Sequence, residues 1–205
     1  MSFTVEMLPA GHGDALVVEW KHGRSTKRML IDAGTAHAWE GVRQRLLDRG
    51  NERYDVFVVT HVDEDHIGGA ISLLDDFSLR SRIRDVWFNG YVHLDRTTTS
   101  VLGPVNGEEL TERIARGAFR WNRGFSPAVS RKVGGPIVVP DDGPLPTVEL
   151  DGARVVLLLP TRPKLDRLSP VWKEVVERAG LVPGAGSGDH TSGPGPSRRH
   201  ADPLP

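Results

Sequence analysis

The run Thr60-His61-Val62-Asp63-Glu64-Asp65-His66-Ile67-Gly68-Gly69 gathers the imidazoles of His61 and His66 and the carboxylates of Asp63 and Asp65 within six residues, directly after the apolar stretch Val56-Phe57-Val58-Val59. Groups at positions i, i+2, i+4 and i+5 cannot share one face of a single strand or helix. The chain must therefore curl to bring them together, and a divalent ion, or a pair of ions, is what such a curl would enclose. The other reading is a solvated acidic turn whose histidines cap backbone groups. Four ligand types packed together and flanked by Gly68-Gly69 favour the metal.

The flanks say how the turn is held. Val56 to Val59 is a continuous β-branched and aromatic run, which predicts a strand buried on both faces, with Thr60 and His61 at its carboxyl end. Apolar residues resume at helical spacing from Ile67 through Leu74, so a helix is expected to open at Ile67-Gly68-Gly69, where the glycines allow close backbone approach. The amino end of such a helix favours carboxylates and anionic substrates.

Composition limits the alternatives. The absence of cysteine removes disulfides, thiolate zinc sites and cysteine nucleophiles together, so any metal must be held by nitrogen and oxygen. A net charge of −1 gives no whole-molecule attraction for nucleic acid or membranes. No apolar run approaches membrane-spanning length, and the amino terminus lacks a basic region followed by an apolar core. A cytoplasmic protein with no membrane partner is the expectation. The 205 residues suit a single domain, expected over 1–182, while the Gly/Pro/Ser-rich stretch 183–205 carries too little apolar area to offset its ordering entropy and is expected to be a disordered tail.

Along the chain, strands are expected over Phe3 to Leu8, Ala15 to Trp20 and Arg28 to Ile31, then a helix over Trp39 to Leu47, the strand and helix of the acidic run, and a strand over Ile83 to Asn89. The first ninety residues thus read β-β-β-α-β-α-β. Further on, Asn106 to Ala118 predicts an amphipathic helix, and Pro136 to Val139, Thr147 to Leu150 and Ala153 to Leu159 predict strands, the last two joined at Asp151-Gly152. Leu165 to Leu181 is again helical, with Pro170 as a first-turn residue. The stretch Arg120-Trp121-Asn122-Arg123-Gly124-Phe125 is either a nucleic-acid contact or ordinary surface structure.

These residues resemble the metallo-β-lactamase-fold hydrolase superfamily. The family signature, a strand ending in Thr or Ser followed by H-x-H-x-D-H and a Gly-Gly, is similar to His61-Val62-Asp63-Glu64-Asp65-His66 with Ile67-Gly68-Gly69. Gly13-Asp14-Ala15 before a strand and Leu30-Ile31-Asp32-Ala33-Gly34 ending one resemble the branch containing the hydrolase domain of competence-type DNA-uptake proteins, where Asp replaces the second His. The resemblance implies an α+β fold, an αββα sandwich. It implies that His61 and Asp63 hold one metal and Asp65 and His66 a second, with Asp65 also aligning the nucleophile, and that Asp32 and Asp14 support the ligands rather than bind. Zinc is the implied ion. Asp63 makes the site harder than the usual His would, so manganese and iron are also admitted. The implied activity is hydrolysis by a metal-activated water, on a small-molecule or nucleotide-type phosphodiester or related ester.

Two departures from the family pattern keep a second outcome open. The family completes its site with a later His and a bridging Asp, whereas here Gly188-Asp189 follows no strand, and His93, just beyond a strand, is the one candidate extra ligand in the folded part, its other reading being a hydrogen-bonded loop histidine. His12, Asp189-His190 and His200 are weaker candidates. The carboxyl-terminal half is expected to be incomplete, as in a chain that has lost its frame or its end, which would leave a truncated relative binding metal or a partner with little or no catalysis.

Overall fold

Strand alternation decides which residues face which layer. In the computed structural model, which describes residues 3–94 and 104–184, β1 (Phe3–Met7), β2 (Leu16–His22) and β3 (Ser25–Ile31) form an antiparallel meander with Val18 opposite both Val5 and Met29. Parallel strands then extend the sheet through helical crossovers. α1 (Trp39–Asp48) leads to β4 (Val56–Val58), α2 (Glu64–Asp75) and α3 (Phe77–Arg80) lead to β5 (Asp85–Trp87), and α4 (Pro104–Arg116) leads to the short β6 (Arg120–Trp121). The six strands lie in sequence order.

Each face of this sheet has its own core. Val17, Leu30, Phe57 and Val86 pack against Leu46 of α1, Ile67 and Leu74 of α2, Ile114 of α4 and Trp172 of α5 (Arg162–Arg178). Trp20, Met29, Val56 and Trp87 point the other way, against Val148, Leu150 and Val155 of the hairpin β7 (Thr147–Leu150) and β8 (Ala153–Val156). Burying a large side chain of this kind contributes about 1.5–3 kcal/mol, so both faces hold the sheet. The result is an α+β sandwich of helices, sheet and second sheet. Among the described residues no helix packs on the outer side of the hairpin.

The hairpin turn falls on Asp151 and Gly152, both at positive φ (40° and 91°), as a two-residue turn between right-twisted strands requires. Several boundaries differ from expectation. α2 begins at Glu64 rather than Ile67, because Asp63 takes an extended conformation before it and Glu64 and Asp65 complement the positive helix end. α5 runs unbroken from Arg162 with Pro163 in its first turn, and Pro170 lies inside the helix. Pro136 to Val139 forms no strand beyond a single bridge from Val139 to Thr161. Its place is taken by a side chain: the Asn89 amide donates to the Ile137 carbonyl (2.7 Å) and accepts from the Ile137 N–H (2.9 Å). Trp121 and Phe125 are buried, so the aromatic rings of the 120–125 stretch belong to the cores and offer no stacking surface, while Arg120 and Arg123 stay exposed. The expected tail, apart from Pro183 and Gly184, lies outside the described residues.

Candidate metal centre

Parallel pairing of β3 and β4 sets Ile31 beside Val58, so Asp32, directly after β3, and Thr60, two residues after β4, emerge at the same end of the sheet. Asp32 sits in the left-handed region (φ 54°), which a short polar side chain tolerates, and is almost wholly buried at 2% exposure. Its carboxylate is the hub of the turn. One oxygen accepts the Thr60 backbone N–H (2.8 Å), and the other accepts the Thr60 hydroxyl (2.6 Å) and meets His66 Nδ1 at 2.9 Å. An acceptor-only carboxylate at Nδ1 places the His66 proton there and leaves Nε2 as a lone pair.

The same logic reaches His61. The Thr60 hydroxyl gives its proton to Asp32, so its oxygen is the acceptor for His61 Nδ1 at 2.8 Å, and His61 also keeps an Nε2 lone pair. The two rings lie 3.7 Å apart between centroids. His66 Nε2 is 3.5 Å from Asp65 Oδ2, and His61 Nε2 is 3.6 Å from Asp63 Oδ2. Each Nε2 thus faces a carboxylate oxygen, a pairing of donor atoms that a cation would bridge.

One donor atom each from His61, Asp65 and His66 falls within 4.8 Å of the others, a group that could hold a metal ion. Separations of 3.5 and 3.6 Å are near the edge of a tetrahedron with bonds of about 2.0–2.1 Å, roughly 3.3–3.4 Å. The donor set therefore fits a divalent ion with a modest inward movement. His66 is buried at the base, Asp65 is half-buried, and His61 and Asp63 stand exposed at the mouth.

The remaining expected residues take different places. Asp63 lies outside that three-residue group, beside His61. Asp14 approaches His66 Nδ1 at 3.9 Å, and its carbonyl accepts the Gly34 N–H. His12 is exposed and outside the group. Asp189, His190 and His200 lie outside the described residues. His93 does not join either: it sits in a 3-10 turn (Tyr91–His93), 3% exposed, edge-on to Trp121 at 4.9 Å, with Nε2 3.4 Å from Asn122 Nδ2. Two residues that sequence reasoning passed over also shape the site. Thr60 was visible only as a strand end, and Glu64, which accepts the Ala36 N–H at 3.2 Å, carried only a first-turn acidic signal.

His93 supplies a pH signature instead. Burial lowers its pKa from 6.5 to about 4. Its contribution to stability is complete above the unfolded value and is lost as the pH falls toward the folded one, because the unfolded chain takes up a proton that the folded chain refuses. We expect His93→Gln to remove about 2 kcal/mol of the stability lost by the natural chain between about pH 7 and pH 5, measured by urea unfolding at both values. Equal losses in the two proteins would contradict this assignment.

The family profile of the metallo-beta-lactamase superfamily matches residues 8–198. No curated protein matches. Among solved structures, the chain is similar to a metallo-beta-lactamase from Cronobacter sakazakii in a HARLDQ motif mutant form, at 17% identity and a TM-score of 0.37, covering 74% of this chain and 49% of that one. The HARLDQ motif form from the same organism gives 18% identity and a TM-score of 0.32, over 72% and 47%. The chain therefore spans about half the length of these structures. On the match that runs through nearly all of its residues, the chain belongs to the metallo-beta-lactamase superfamily.

Proposed function

We propose that this chain is a metal-dependent hydrolase acting on a phosphodiester or related ester, with His61, Asp63, Asp65 and His66 as the ligands. The observation that carries the proposal is the pair of engaged Nδ1 atoms, one on Asp32 and one on Thr60, which leaves both Nε2 lone pairs turned toward carboxylates. A divalent ion held there would acidify a water and polarise the scissile bond. Asp65 accepts a proton from the attacking water as its oxygen bonds to phosphorus, and the leaving alcohol oxygen takes a proton from solvent as its bond to phosphorus breaks. Asp32, through Thr60 and His66, keeps both imidazoles in one tautomer and orientation. The oxygen-rich donor set, with Asp63 where an imidazole is usual, supports manganese or iron beside zinc.

A second reading has its own support. Among the described residues no ligand from outside 61–66 joins the group, and an ion held by a partial shell activates water poorly. That reading is a metal-binding relative with little turnover. Titration of chelator-stripped protein with zinc and manganese, followed by assay on bis(nitrophenyl) phosphate, separates them. We expect metal uptake, hydrolysis that chelators stop, and loss of both in His66→Ala. Uptake of one weakly held ion without hydrolysis selects the second reading, and folded protein that takes up no metal defeats both.

A further inference from the structure

A cavity of about 960 Å³ opens beside the metal centre. That is at the upper end of the range for small-molecule sites, about 300–1,000 Å³. His61 and Asp63 stand at one end of it. Its body is apolar, walled by Trp87 and Ile137 between the sheets, by Phe88 from the helix-side core and by Leu158 and Leu159 beyond β8. The last two are 68% and 62% exposed, so the apolar wall continues to the rim.

Two cations, Lys164 and Arg167, complete the wall from α5, and their situation on that helix is unusual. α5 carries five basic residues. Three of them have an acidic partner four residues away: Arg162 with Asp166, Lys173 with Glu177, and Arg178 with Glu174. Lys164 and Arg167, both exposed, have no acidic partner among the described residues, and Arg167 donates only to the Pro163 carbonyl of its own helix. Neither charge has a helix-stabilising pair: Lys164 lies in the first turn of α5, where the dipole opposes a cation, and Arg167 has no acidic residue paired with it along the helix. Among the described residues the only acid on the cavity wall is Asp63, beside the metal centre.

We propose that this cavity is the substrate site for a small amphiphilic ester, whose apolar arm lies between the sheets and whose second anionic group, an oxyanion remote from the scissile bond, is taken by Lys164 and Arg167. The assignment rests on the hydrolase reading for the word substrate, but its binding component is independent of metal. A phosphodiester joined to an uncharged or cationic arm would make no use of the two cations, whereas an apolar arm ending in carboxylate, sulfonate or phosphate matches an apolar wall that carries them.

The test uses the full chain, stripped of metal, with two fluorescent probes of similar ring system: anilinonaphthalene sulfonate, which is anionic, and N-phenylnaphthylamine, which is neutral. In K164Q/R167Q the anionic probe should bind about tenfold more weakly, while the neutral probe should change by less than about twofold. Unchanged binding of the anionic probe would overturn the proposal, as would an equal loss for both probes, which would place the effect in the apolar wall. A second arm loads the natural chain and the variant with metal and compares nitrophenyl phosphodiesters whose arms end in carboxylate or methyl. The variant should raise KM for the carboxylate ester alone. If no ester is hydrolysed while the probe pattern holds, the hydrolase reading fails and the anionic, apolar binding site stands.

Discussion

Asp32→Asn is expected to weaken divalent-metal binding by about 10- to 100-fold, although Asp32 is not itself placed to bind metal. The substitution keeps size and shape and tolerates the left-handed backbone at φ 54°. What it removes is the acceptor-only character of the hub. One amide oxygen can still accept the Thr60 N–H, but the other position becomes a donor, facing the Thr60 hydroxyl at 2.6 Å and His66 Nδ1 at 2.9 Å. His66 then accepts at Nδ1 and carries its proton on Nε2, where the lone pair for the metal had been. The Thr60 hydroxyl then accepts from that amide and turns its own proton toward His61 Nδ1, which moves the His61 proton to Nε2 as well. Loss of charge-assisted bonds in a buried position should also lower stability, by about 1–2 kcal/mol. Competition with a coloured chelator measures the first effect and thermal unfolding of the metal-free protein the second. Undiminished metal affinity in the folded variant would show that the hub does not set the imidazoles.

Much of the centre was legible because it is local. The stretch Val56 to Val59 is apolar enough to require burial, and His61, Asp63, Asp65 and His66 follow it at once, so strand, turn and ligand types could be read from adjacent residues. Asp151-Gly152 was readable for the same reason, since a two-residue turn states its backbone need in its own composition. The start of α2 was misplaced because Asp63, Glu64 and Asp65 carry two signals at once, metal ligand and helix amino terminus, and the structure uses both. What stayed hidden depends on pairing over long separations. The bonds of Thr60 and His66 to Asp32 span 28 and 34 residues, and only the parallel register of β3 and β4 brings them together. Asn89 standing in for a strand partner of Ile137 is likewise invisible to a period-two pattern. The cavity joins β4 and β5 to the segment after β8 and to α5, so no window of sequence contains it.

Gly69→Ala should be a damaging small change outside the ligands, and its cost comes from backbone rather than side-chain crowding. A Cβ built at Gly69 would lie 1.9 Å from the Ala33 carbonyl oxygen and 3.0 Å from that of Gly34, and neither is the end of a flexible side chain. The contact exists because the Gly69 N–H donates to the Gly34 carbonyl at 2.8 Å, tying α2 to the loop that follows β3. Adding a methyl group must push α2 away from that loop, and α2 carries Asp65 and His66 in its first turn while the loop begins with Asp32. Overpacking of this kind costs about 1–3 kcal/mol, against which the better helix propensity of alanine returns only about 1 kcal/mol. The displacement also stretches the Asp32 to His66 bond, so metal affinity should fall with stability. Gly50→Ala is the control, because its added Cβ meets nothing within 4 Å while its φ of 66° carries only the local backbone penalty. It should lose stability and keep its metal affinity. If Gly69→Ala does the same, the close seating of α2 on the loop after β3 holds the fold but does not position the centre.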